Sequence, residues 1–158
     1  MPTPHERLRE IGLTLPTPPA PLASYMPTRV VPISDGRAMV YVAGQLPRDG
    51  EKLLTGRCPD EVSVDEAVSR ARICAINVLA QLEAAAGLDN VEQIAQLIGF
   101  VLSADGFGEQ PKVINGASDF LVDVLGDAGR HSRAALGTNS LPFSATVEIA
   151  AVAVVRTR

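Results

Sequence analysis

The run from Ala145 to Val155 (ATVEIAAVAVV) constrains this chain more than any other stretch. Nearly every residue in it is small or β-branched, which suits a strand covered on both faces. Strand side chains alternate, so Val147, Ile149, Ala151, Ala153 and Val155 share one face, and Thr146, Glu148, Ala150, Val152 and Val154 share the other. Glu148 is the only charge in the run. An unpaired carboxylate in such a strand is costly or takes up a proton. The nearest candidate guanidinium in sequence is Arg133, in another strand-like segment ahead of the turn Asn139-Ser140-Leu141-Pro142. From the residues alone, Arg133 and Glu148 read equally well as a structural ion pair or as a functional one.

The rest of the chain supplies the partners such a strand needs. Pro4 to Gly12 reads as a short amphipathic helix with Leu8 and Ile11 on its apolar side and Gly12 as its stop. A proline-rich connector, Pro16 to Pro21, follows, and then Tyr25. Arg29–Ser34 and Ala38–Ala43 read as strands, with Asp35-Gly36 as the hairpin signal between them. Gly44-Gln45-Leu46-Pro47 ends the second strand, and residues 48–62 read as loop. Ser63-Val-Asp-Glu66 fits a capping box that opens a long helix running to about Ala86, with Gly87 as its C-cap. Asp89 to Gln93 reads as a turn, and Ile94–Leu102, apolar on both faces, as a central strand. A loop, Ala104–Pro111, leads to a second helix from about Lys112 to Leu125, closed by Gly126.

After the N-terminal extension the order is therefore β-β-α-β-α-β-β. Two helices cover one face of a sheet of about five strands. The final strand is apolar on both faces, and the N-terminal helix is too small to cover the second. Self-association is the simplest cover.

Composition removes several classes of function. A formal net charge of -4 without a basic cluster gives no electrostatic footprint for nucleic acid. The chain opens on charged and polar residues without the apolar core of a signal peptide, and no apolar run spans a membrane, so a reducing cytoplasm is the expected compartment. Cys58 and Cys74 form no metal or disulfide pattern and read as an incidental loop thiol and a buried one. No metal or cofactor is expected.

Five short motifs, Ala43-Gly44-Gln45-Leu46-Pro47, Val113-Ile114-Asn115-Gly116, Ser132-Arg133, Leu141-Pro142 and Val147-Glu148-Ile149, together with the element order, resemble the reactive intermediate deaminase family, also called Rid, YjgF or endoribonuclease L-PSP-like. The resemblance runs from about Tyr25 to Arg156. It divides the chain into an N-terminal helix and connector at 1–24 and a YjgF/Rid-like domain at 25–158. It implies a chorismate-mutase-like α/β fold, a mixed sheet with two helices on one face. It also implies a homotrimer whose sheets form a central barrel, with ligand clefts between subunits. Carried over residue by residue, Arg133 grips a substrate carboxylate and Glu148 holds or activates the attacking water. Tyr25, Gly44, Asn115 and His131 are the candidate substrate contacts.

The chain departs from the family pattern at Ala43, where many deaminating members carry serine, and at Ala135, where they carry cysteine. The resemblance implies hydrolysis of enamines and imines to 2-keto acids and ammonia, with no cofactor. The departures favour an alternative, a trimeric protein that binds small carboxylates or ketoacids without chemistry. The old ribonuclease label supplies a third reading, against which stand the acidic charge and few aromatics.

Overall fold

A computed structural model describes residues 1–18 and 23–157 of the chain. Residues 19–21 of the Pro16–Pro21 connector lie outside the described residues. Helix α1 (Pro4–Glu10) opens on a capping box in which Thr3 and Glu6 exchange bonds. Leu8 is buried in the common core, but Ile11 is exposed, because the helix stops before the next turn can bury it. The short helix docks on the helical layer, against the second long helix.

Strands β1 (Thr28–Pro32) and β2 (Arg37–Gln45) form the expected hairpin. Asp35 and Gly36 both take positive φ, as the tight turn between them requires. Residues 48–62 are not wholly loop. Arg48–Asp49 (β3) and Lys52–Leu53 (β4) pair as a small antiparallel hairpin. Its residues are almost all polar, so no apolar alternation announced it.

Helix α2 (Val64–Ala86) begins on the Ser63/Glu66 capping box and ends at Gly87. Strand β5 starts earlier than the apolar run, at Val91, and runs to Leu102 after a short 3-10 turn at Leu88–Asn90. Helix α3 (Gln110–Leu125) also starts earlier than expected, with Pro111 in its first turn. Strands β6 (Ser132–Thr138) and β7 (Val147–Arg156) complete the chain.

The main sheet has 5 strands in the order β1-β2-β7-β5-β6. Only β5 and β6 are parallel; the other neighbours are antiparallel. The C-terminal strand β7 is the middle strand, and β6 is an edge. Helices α2 and α3 lie together on one face. They pack closely because Gly116 of α3 faces the backbone carbonyl of Val68, where any Cβ would overlap it. The predicted inner face of β7, from Val147 to Val155, is buried beneath these helices. Fully buried Leu79, Leu82, Leu97 and Ile149 lie in that layer. Each such side chain contributes roughly 1.5–3 kcal/mol of hydrophobic stabilisation.

The other face of the sheet carries no layer of the described residues. Glu148, Ala150, Val152 and Val154 of β7 are half-buried there, beside Ile98 and Phe100 of β5. Tyr41, Leu136 and Val31 on the flanking strands are exposed. Both cysteines are buried, Cys58 included, because its backbone is bridged to the end of β5. Among the described residues, no helix is long and apolar enough to cross a membrane, and no cluster of His, Cys, Asp and Glu could hold a metal ion.

Candidate functional site

Arg133 lies on the edge strand β6, directly opposite Leu97 of β5. Leu97 faces the helices and is fully buried, so Arg133 also emerges on the helical side. There the first turns of α3 receive it. Its Nη1 donates to Asn115 Oδ1 at 2.8 Å and to Ser118 Oγ at 3.1 Å. Its Nη2 donates to the Pro111 carbonyl at 3.3 Å. A guanidinium has five N–H donors in a planar fork. Three are taken, two from Nη1 and one from Nη2. The Nε–H and one Nη2–H remain for a ligand, and a carboxylate is an acceptor suited to a guanidinium.

The guanidinium opens into a cavity of about 330 Å³ lined by Asn115, Ser118, Asp119, Val122, Arg130, His131 and Arg133. His131 is fixed at its rim. Its Nδ1 lies 2.6 Å from the Gly129 carbonyl and its Nε2 lies 2.9 Å from Ser118 Oγ. Asn115 and His131 therefore join Arg133 as expected. Ser118 was missed in the sequence. Its signal was position: three residues after Asn115, it shares that helix face.

Glu148 lies opposite Phe100 of β5. Leu97 and Phe100 are an odd number of residues apart on one strand, so their partners Arg133 and Glu148 emerge on opposite faces of the sheet. The expectation that Arg133 relieves the Glu148 carboxylate within one chain is thus corrected by the strand register. Among the described residues, no ion pair or hydrogen bond reaches that carboxylate. Burial alone pushes the Glu148 carboxyl above its usual range. The neighbouring Cys74 thiol, fully buried under β7, is pushed up in turn by its own burial and then by Glu148.

The place for Glu148 is made by β2. The β2–β7 register slips between Val42 and Gln45, leaving Ala43 and Gly44 in a bulge. The Glu148 carboxylate packs against Gly44 so closely that any Cβ there would overlap it. Gly44 also lines a second cavity, of about 640 Å³, with Tyr25, Gln45, Leu46, Asn77 and Phe143 among its walls. Tyr25 is 56% exposed and Phe143 74% exposed, both at its mouth. Phe143 was not anticipated; its φ of 55° holds the ring outward after Pro142. The sequence-predicted residues thus fall into two groups. Asn115, His131 and Arg133 surround one cavity. Tyr25 and Gly44 line the other, with Glu148 behind Gly44.

Comparison with known proteins places this geometry. A family model described as YjgF/chorismate mutase-like, with the further term endoribonuclease, matches residues 5–154. Protein TCP17 of Trypanosoma cruzi is 40% identical over 148 residues, covering 92% of this chain and 89% of that protein. The crystal structure of Atu1372 from Agrobacterium tumefaciens, described as of unknown function, superposes with a TM-score of 0.84 at 44% identity, covering 94% of this chain and 90% of that one. Escherichia coli TdcF, solved with bound serine, superposes with a TM-score of 0.59 at 26% identity, covering 89% of this chain and 94% of that one.

Proposed function

Because the chain belongs to the YjgF/chorismate mutase-like family, we propose that it hydrolyses reactive enamines and imines of 2-amino acids to 2-keto acids and ammonia. The observation that carries this reading is the braced guanidinium of Arg133, which borders an open cavity with two of its N–H donors still unpaired. Such a fork recognises a carboxylate. A relative solved with bound serine agrees with a small amino-acid-like ligand.

The reacting group is then the C=N carbon next to that carboxylate. An enamine first tautomerises to the imine, which is already electrophilic. A water attacks the carbon of the protonated imine while Glu148 takes one of its protons, giving a neutral carbinolamine. Glu148 returns that proton to the amine nitrogen. The C–N bond then breaks as Glu148, again a carboxylate, takes the hydroxyl proton, so that ammonia leaves and the C–O bond becomes the ketone. A carboxyl held above its usual range by burial is a stronger base than an exposed one, which suits both steps.

Arg133 and Glu148 lie on opposite faces of one sheet. This supports a site composed between chains, with Arg133 from one copy and Glu148 from its neighbour. The uncovered apolar face, with Tyr41, Leu136 and Val31 exposed, supports the same assembly, a homotrimer with its sheets inward as a barrel.

The test is a coupled assay in which an amino-acid oxidase generates the imine in place. Keto-acid release should accelerate with the wild-type protein and not with Arg133→Ala, both checked for assembly in solution. Equal acceleration by the variant removes this mechanism. The alternative, a carboxylate-binding protein without chemistry, is favoured by Ala43 and Ala135, which take hydroxyl and thiol groups out of the site. It predicts saturable binding of pyruvate that needs Arg133, with no product formed. Ribonuclease action, suggested by the family description, runs against the net charge of -4. Only an RNase activity that survives repurification and vanishes in Arg133→Ala would sustain it.

A further inference from the structure

We propose that Ser118 and His131 are positioning residues that aim the Arg133 guanidinium, through a hydrogen-bond chain whose direction is set by the Gly129 carbonyl. The proposal rests on the carboxylate-gripping reading of Arg133. A carbonyl oxygen only accepts, and His131 Nδ1 lies 2.6 Å from it, so Nδ1 carries the ring proton. In the neutral imidazole the other nitrogen is then an acceptor. Nε2 lies 2.9 Å from Ser118 Oγ, so the Ser118 hydroxyl donates its single proton to His131. With that proton committed, the Ser118 oxygen offers only lone pairs to Arg133, and it accepts from Nη1 at 3.1 Å. Asn115 Oδ1 takes the other Nη1 hydrogen at 2.8 Å. Every donor and acceptor in the chain is matched in one sense only.

This directionality gives the chain a role that bulk alone lacks. Both Nη1 hydrogens are consumed, so the planar group cannot turn, and the Nε–H and one Nη2–H stay open. If His131 takes a second proton, Nε2 becomes a donor and Ser118 must accept from two sides. A second positive charge then also stands near the guanidinium. The charged groups facing His131 are Arg130 on its own loop, Asp119 on α3 and Arg133 itself on β6. Asp127, at the preceding turn, is engaged by Arg130 at 3.4 Å. From β5 the loop meets Gln93, which is uncharged and bonds the Arg130 carbonyl. The chain keeps its one sense only while His131 is neutral.

The test uses the assembled full chain, with pyruvate as the carboxylate probe followed by NMR titration. Ser118→Ala should weaken pyruvate binding about tenfold, the scale of one hydrogen bond to a charged group, and Ser118→Thr should return it to within about twofold. With an imine substrate the same loss should appear in KM while kcat holds, because the carboxylate grip is equal in ground and transition states. Alanine suits a helix, so this variant keeps the fold. If Ser118→Ala binds pyruvate like wild type while Arg133→Ala does not, the positioning chain is wrong and the carboxylate grip stands. If Arg133→Ala also binds like wild type, the grip itself is wrong and the chain falls with it.

Discussion

Arg133 is held by three acceptors, while among the described residues no donor reaches the Glu148 carboxylate. The two residues are close in sequence and occupy strands that flank the same neighbour, β5. Their surroundings are nevertheless opposite. Arginine sits on the helical side, where backbone and side-chain oxygens at the start of α3 fix its plane. Glutamate sits on the bare side, packed against the Gly44 bulge, with a carboxyl shifted upward by burial alone. In the proposed reaction the group that recognises a shape is preorganised, and the group that exchanges protons is left without a partner.

The sharpest way to break this comparison is to separate the two residues onto different chains. Arg133→Ala and Glu148→Gln should each lose about two orders of magnitude or more in kcat/KM. Mixed and refolded together, they should recover up to about a quarter of wild-type activity, because a symmetric assembly then contains sites with both native residues. No recovery in verified mixed assemblies would mean that both groups act from one chain.

Gly44→Ala should come next in size. Its Cβ must displace the Glu148 carboxylate and leave Arg133 untouched. We expect kcat to fall roughly tenfold to a hundredfold, with pyruvate affinity unchanged. A loss of affinity alone would move Gly44 to the arginine side.

The smallest effect concerns stability. Burial favours the protonated Glu148, so the folded state binds that proton more tightly than the unfolded chain. The resulting stabilisation is complete below the unfolded carboxyl range and is lost as the pH rises through the folded one. Glu148→Gln removes that loss. In urea the variant should therefore outlast wild type near pH 7, with the advantage shrinking at about pH 4. An advantage that grows in acid would reverse the assignment.

The sequence made the elements legible where chemistry is local. Ser63 and Glu66 announce their own capping box, Asp35-Gly36 its turn, and Val147 to Val155 their buried face. It also showed that one face of the sheet lacks a cover. The relation between Arg133 and Glu148 was not legible, because it depends on how both strands register against β5, which no local pattern encodes. Ser118 was hidden for a related reason: a serine in a helix announces nothing until the residue it supports is placed beside it. The short β3–β4 hairpin escaped because its polar residues carry no alternation.

The placement of Arg133 and Glu148 on opposite faces of the sheet has a consequence for how such a protein behaves in dilute solution. If turnover needs neighbouring copies, the rate per chain is not a constant of the molecule. It should hold at high protein concentration, decline once the concentration drops below the dissociation constant of the assembly, and recover on reconcentration. Specific activity measured across a dilution series would then report the strength of the assembly as directly as any sizing experiment.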